Sequence, residues 1–100
     1  MPRFRISPRA RRDLDGIWRY IAEASGIDRA EKVIEEIRRA ILRLSDMPMM
    51  GHTRADLPDE SFRCWQVKHF LIIYKPRPRP IRVVRIVSGY RDLPEALEET

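Results

Sequence analysis

The chain reads as an α+β protein built as a single domain. Three observations predict that class. The first residues alternate apolar and basic side chains, the next forty carry two stretches of helical periodicity, and the second half holds three short apolar runs of strand length. A length of 100 residues leaves room for one core, so residues 1–100 form one domain. The expected order is an N-terminal strand, an antiparallel two-helix hairpin, a three-stranded antiparallel meander and a short C-terminal helix.

Each element has its own warrant. In residues 2–6 (PRFRI), Phe4 and Ile6 alternate with Arg3 and Arg5, the period of a half-buried strand. Ser7-Pro8 reads as an N-cap followed by proline at the first helical position. Ala10, Leu14, Ile17, Trp18 and Ile21 then form one apolar stripe, and Gly26 stops the helix. Asp28 and Glu31 have capping-box spacing, ahead of a second stripe of Ala30, Val33, Ile34, Ile37, Ile41 and Leu44. So short a gap makes the two helices an antiparallel hairpin. Residues 47–61 (MPMMGHTRADLPDES) have no period and read as a loop. Strands are expected at about 62–68, 70–75 and 81–88, with His69 in the first connection and the stiff segment Pro76-Arg77-Pro78-Arg79-Pro80 in the second. Asp92 and Glu95, spaced as a capping box around Pro94, begin the C-terminal helix.

The sheet has two apolar faces. Phe70, Ile72 and Tyr74 point one way and Leu71 and Ile73 the other; by the same alternation Ile81, Val83 and Val87 oppose Val84 and Ile86. Two helices cover one face of such a sheet. Either they straddle it or another chain covers the second face, and the latter is preferred because exposed apolar patches mark partner surfaces.

Charge points to an anionic partner. The composition is 20 Lys plus Arg against 15 Asp plus Glu, for a net of +5. Asp92, Glu95, Glu98 and Glu99 follow the last base, Arg91, so residues 1–91 carry 20 bases against 11 acids, a net of +9. Arginine dominates the bases, and its planar fork suits carboxylates and phosphates. Arg9, Arg11 and Arg12 crowd the start of the first helix, where the macrodipole favours acids, giving either a solvated basic face or a partner-facing patch.

Other chemistry finds little support. One cysteine, Cys64, and two separated histidines, His52 and His69, give no metal-ligand spacing, and neither metal nor cofactor is expected. Cys64 reads as core, His52 as loop and His69 as a turn residue. Trp18 and Trp65 read as apolar anchors within the core, the alternative being that they line a partner groove. No apolar run approaches the ~20 residues of a membrane span, and MPRFRISPRARR lacks a signal core, so a cytoplasmic protein without a membrane partner is expected.

The ordered set SPRARRDLDGIWRYIAE, MPMMGHTRADL, FLIIY and IRVVRIVSGYRDL resembles the ParE/RelE family of bacterial toxins over about residues 3 to 97. These are the toxin halves of type II toxin–antitoxin pairs. The spacing of Ala10, Asp13, Leu14, Ile17, Trp18, Tyr20 and Ile21 is most similar to the ParE branch, whose members poison DNA gyrase without being nucleases. That resemblance implies a RelE/ParE-like fold, a ParD-like antitoxin partner in an even-numbered assembly, and gyrase as target, with direct nucleic-acid contact secondary. The antitoxin would fold an acidic and apolar segment onto the toxin, touching Arg9, Arg12, Trp18, Trp65, Phe70, Ile72, Tyr74, Arg82 and Arg85. Tyr90 and Arg91, at the exit of the last strand, would face the target.

The alternative is a RelE-like, ribosome-dependent and metal-independent mRNA endonuclease. It would use Arg63, His69, Tyr90 and Arg91, with Lys68 as a further candidate, to move protons and to hold phosphorane charge. Ser88 stands where several such nucleases carry a histidine, and the central strand HFLIIYK is apolar where they place an arginine. The ParE reading, with no catalytic residue, is therefore preferred.

Overall fold

The computed structural model describes residues 3–88 together with Leu93 and Leu97. Strand β1 (Phe4–Ile6) leads into helices α1 (Pro8–Ser25) and α2 (Ile27–Asp46), followed by strands β2 (Arg63–Val67), β3 (Phe70–Lys75) and β4 (Ile81–Ser88). The sheet order is β1-β4-β3-β2, with β1 parallel to β4 and the other pairs antiparallel. The last strand therefore lies inside the sheet, which accounts for its apolar run. Leu93 and Leu97 are helical; the rest of the expected C-terminal helix falls outside the described residues.

Local chemistry sets the helix ends. The Ser7 hydroxyl accepts from the Ala10 N–H at 3.0 Å, the N-cap bond that the sequence anticipates. Gly26, at φ 95°, ends α1 and starts α2 within one residue. The capping box expected at Asp28–Glu31 does not form: α2 already begins at Ile27 and has no side-chain cap. A one-residue turn leaves the capping to the glycine backbone, and Asp28 serves in the first turn, where an acid suits the dipole. The loop after α2 is also more ordered than expected. Pro48–Met50 form a 3₁₀ turn, and His52 bridges to Cys64 through the backbone.

Strand β4 carries a bulge. Across β3 and β4, Ile73 faces Arg85 while Tyr74 faces Val83, so Val84 is one residue too many. This corrects the expected faces. Ile81, Val83 and Ile86 all join the helix-side core, and Val87 joins the opposite cluster, because one inserted residue reverses the alternation beyond it.

The bulge is also where α1 docks. Ser7 donates its N–H to the Val83 carbonyl at 2.9 Å and its hydroxyl to the Val84 carbonyl at 2.7 Å. Nearly two turns on, the Asp13 carboxylate accepts from Arg85 Nε at 2.7 Å, Arg85 Nη2 at 3.1 Å and the Ile86 N–H at 3.0 Å. Arg85 is thus a buried structural cation, its side chain 1% exposed.

The second face is closed by the chain itself, correcting the preference for a covering partner. Leu57 from the loop and Leu93 from the C-terminal region pack with Cys64, Leu71, Ile73 and Val87, flanked by Phe62 and Leu97. The helices do not straddle the sheet; they serve the cluster around Ile37, Ile41, Ile72 and Tyr74.

Removing Asp13 strands a buried guanidinium. Asp13→Ala is expected to lower unfolding free energy by about 3–5 kcal/mol, the usual cost of orphaning a buried charge. Urea denaturation measures this, and an unshifted midpoint would refute the docking role.

Candidate functional site

Where α1 and α2 lie over the far end of β4, a cleft of about 670 Å³ opens. Ile17, Ile21, Val33, Phe70 and Ile86 give it an apolar floor, and Arg12, Arg29, Lys68 and His69 form a basic rim. Tyr20 lines it while 72% exposed, unusually so for a large aromatic, and Ile27 nearby in sequence is 61% exposed. Gly16 completes the wall, and a Cβ there would meet nothing within 4 Å. A mid-helix glycine costs about 1 kcal/mol relative to alanine. Here it leaves the α1 backbone open to close approach from the cleft.

The rim has a defined geometry. The β2–β3 turn is two residues, Lys68-His69, between the paired Val67 and Phe70. Lys68 takes φ 53°, a left-handed conformation that such turns reserve for glycine or asparagine. Its ammonium lies 3.5 Å from Glu36, tying the turn to α2. The described chain meets the cleft again at Ser88. Tyr90 and Arg91 lie outside the described residues.

The anticipated contact residues divide into three groups. Arg12 and Phe70 line the cleft, with Arg9 half-buried near the start of the same helix. Trp18 and Trp65 are half-buried against the helix-side core, and Trp65 stacks on His52 with ring centroids 5.6 Å apart and a 17° interplanar angle. Ile72, Tyr74 and Arg85 are fully buried in the monomer, which corrects their assignment to an antitoxin surface. Ile72 and Tyr74 lie on the face that the helices cover, and Asp13 claims Arg85. Arg82 is exposed, yet it lies on the sheet face away from the cleft.

The nuclease set does not assemble among the described residues. Arg63 Nη1 donates to the Gly51 carbonyl at 2.7 Å, holding the loop to the sheet. His69 lies beyond the other end of β2, four residues from Arg63 to Val67, about 13 Å of strand. The same loop is latched by Tyr74, whose hydroxyl donates to the Pro48 carbonyl at 2.7 Å and accepts from the Gly51 N–H at 2.9 Å. Gly51 has no room for more: a Cβ there would lie 2.9 Å from the Cys64 carbonyl oxygen and against the Tyr74 ring. Burial pushes the Tyr74 phenol and the Cys64 thiol up from their ordinary pKa values, which suits structural rather than reactive groups. Among the described residues no group of three His, Cys, Asp or Glu side chains could hold a metal ion.

Sequence reasoning placed Asp13 and Tyr20 in a pattern without finding their roles, set Lys68 among the nuclease candidates rather than on a cleft rim, and missed Gly16 and Arg29. Two signals were present: a glycine within a helical stripe, and a tyrosine off that stripe.

The family model for the ParE toxin of the type II toxin–antitoxin system parDE matches residues 4–93. Toxin ParE3 of Caulobacter vibrioides is 30% identical over 81 residues, covering 81% of this chain and 80% of that protein. Toxin ParE1 of the same organism is 29% identical over 87 residues, covering 87% and 88%. A solved structure described as the chromosomal ParDE TA system from P. aeruginosa superposes with a TM-score of 0.73 at 20% identity, over 85% of this chain and 92% of that one.

Tyr74→Phe leaves both loop partners buried and unpaired, and a loss of about 1–3 kcal/mol is expected. A raised phenol pKa in the folded state means stability is fully present below the ordinary value of 10.0 and falls as pH rises past it. The variant should therefore show a shallower alkaline decline in urea midpoint than the parent. Equal midpoints at neutral pH would exclude the latch.

Proposed function

This chain belongs to the ParE toxin family of type II toxin–antitoxin systems, and from that premise we propose that it inhibits DNA gyrase by binding, in the cytoplasm, and is silenced by a ParD-like antitoxin seated in the α1–β4 cleft. The observation that carries the reading is the make-up of that cleft: an apolar floor, a basic rim and a glycine-thinned wall. Such a site accepts a segment with apolar anchors and acidic flanks, which is the chemistry of an antitoxin tail that folds on binding. The ParDE description of the structural neighbour supports an antitoxin partner, and an even-numbered assembly with it is part of the same proposal.

Binding without catalysis is favoured over RNA cleavage by the fate of the described candidates. Arg63 is committed to Gly51 and stands a strand's length from His69. Tyr90 and Arg91 then act as contact residues on the target-facing rim, beyond Ser88.

Purified protein is expected to block gyrase supercoiling and to accumulate cleaved DNA, and to leave ribosome-bound mRNA intact. Arg91→Ala should weaken that inhibition more than His69→Ala. Cleavage of mRNA with gyrase untouched would overturn the proposal in favour of the RelE-like alternative. Gly16→Leu separates the two surfaces. It should fold at least as stably as the parent, since it removes a helix-interior glycine, and should lose antitoxin affinity by at least tenfold while gyrase inhibition persists. Unchanged affinity by calorimetry would move the antitoxin elsewhere.

A further inference from the structure

The sheet carries a second charged feature, on the opposite face and at the opposite end of β4. Arg5 on β1 is the direct partner of Arg82 on β4, and Arg82 is the direct partner of Lys75 on β3. Three cations therefore stand abreast on neighbouring strands, spaced by about 4.8 Å of sheet. All three alternate with residues of the helix-side core, so they point away from the helices. Like charges directly opposed across strands destabilise a sheet. Arg77 and Arg79, from the loop that follows β3, line the same cleft of about 360 Å³.

No carboxylate among the described residues neutralises this row. Among the described residues, none of these five cations has a carboxylate within ion-pair distance. The Asp59 carboxyl is held below its usual range first by its bonds to Ser61, with the charge of Lys75 the least of the causes. Lys75 instead rests over the Phe62 ring, 4.6 Å from its centroid. Proline on both sides of Arg77 and Arg79 fixes the backbone from which they project, so little order remains to be gained on binding.

We infer that this row is a binding site for the phosphate backbone of duplex DNA, separate from the antitoxin cleft. Four of the five cations are arginines, whose forks pair with phosphate oxygens. A duplex offers one negative charge per about 1.7 Å of axis, dense enough to satisfy adjacent cations that a folded acidic surface would meet sparsely. Single strands are held by stacking on exposed aromatics, and here the neighbouring aromatic, Phe62, is half-buried under Lys75. A protein partner would need an apolar anchor; among the described residues none of the exposed large hydrophobics lines the clefts of Arg5, Lys75 and Arg82, and only Met49 shares a neighbouring cleft with Arg77 and Arg79.

The test is fluorescence anisotropy of the full chain with a labelled duplex of about 20 bp, titrated between roughly 50 and 200 mM salt without gyrase present. The parent should bind with a steep salt dependence. Arg5→Gln/Lys75→Gln/Arg82→Gln should bind at least tenfold more weakly, with a slope of log affinity against log salt shallower by about 0.9 for each phosphate no longer neutralised. Arg38→Gln, an exposed arginine on α2, should match the parent. The triple variant should melt no lower than the parent, because it relieves repulsion. Should it unfold, the single Arg82→Gln variant must still show the slope change of one phosphate. Equal DNA affinity in parent and triple variant, or no binding at the lower salt, would overturn the inference. Tighter capture of poly-glutamate than of DNA would overturn it in favour of an acidic protein partner.

Discussion

Everything on the helix side of this protein depends on how α1 is fixed to a bulged strand. An inserted residue at Val84 disturbs the β3–β4 ladder and brings Arg85 into the interior. Alone, each is a defect: an unpaired N–H and a desolvated cation. Asp13 answers both, because one carboxylate takes the Arg85 fork and the Ile86 N–H together. Ser7 does the same at the other end of the bulge, capping α1 while bonding Val83 and Val84. Replacing the pair with hydrocarbon could preserve stability, since buried ion pairs seldom outdo apolar packing. It would not preserve register. A carboxylate that must meet three donors holds α1 at one height over β4, and that height sets where the cleft opens.

The two faces of the sheet then serve different ends. The helix face holds the larger core, and its surplus apolar surface, left where α1 passes the end of β4, becomes the cleft floor. The other face is shared between an apolar half, closed by Leu57, Leu93 and their neighbours, and a cationic half running from Lys75 through Arg82 to Arg5. Such a division leaves little apolar surface on the second face for a partner to cover. A wholly apolar second face would need a partner for its stability.

Much of this was legible because it is local. The Ser7-Pro8 cap, the Gly26 stop and the three strand runs are each decided by side chains within a turn of one another. What escaped was what depends on distance along the chain. A bulge leaves no trace in an apolar run, so alternation carried Val87 and Ile86 to the wrong faces. A buried arginine reads as a surface one until its carboxylate, 72 residues away, is known. Leu57, Leu93 and Leu97 close the second face from segments with no period to announce them. In the cleft, Arg12 and Phe70 were found as a charge and an aromatic. Gly16 was not, since its meaning lies in open space, and Lys68 was found only as a base, since its place in the turn rests on a positive φ.

Geometry constrains how the proposed surfaces can act together. The cleft lies on the helix face at the end of β4, and the cationic row lies on the other face at its start. Along β4, four to six residues separate Arg82 from the cleft's Ile86, Val87 and Ser88, about 13–20 Å of strand. At physiological ionic strength the Debye length is about 8 Å, so charge in one surface is largely screened at the other. An acidic segment in the cleft would therefore leave the row's attraction for phosphate nearly intact. Neutralisation through the cleft would act by blocking the contact with gyrase, not by discharging the toxin. Under the two proposals together, a silenced toxin would still approach DNA, and an active one would reach gyrase already near its DNA.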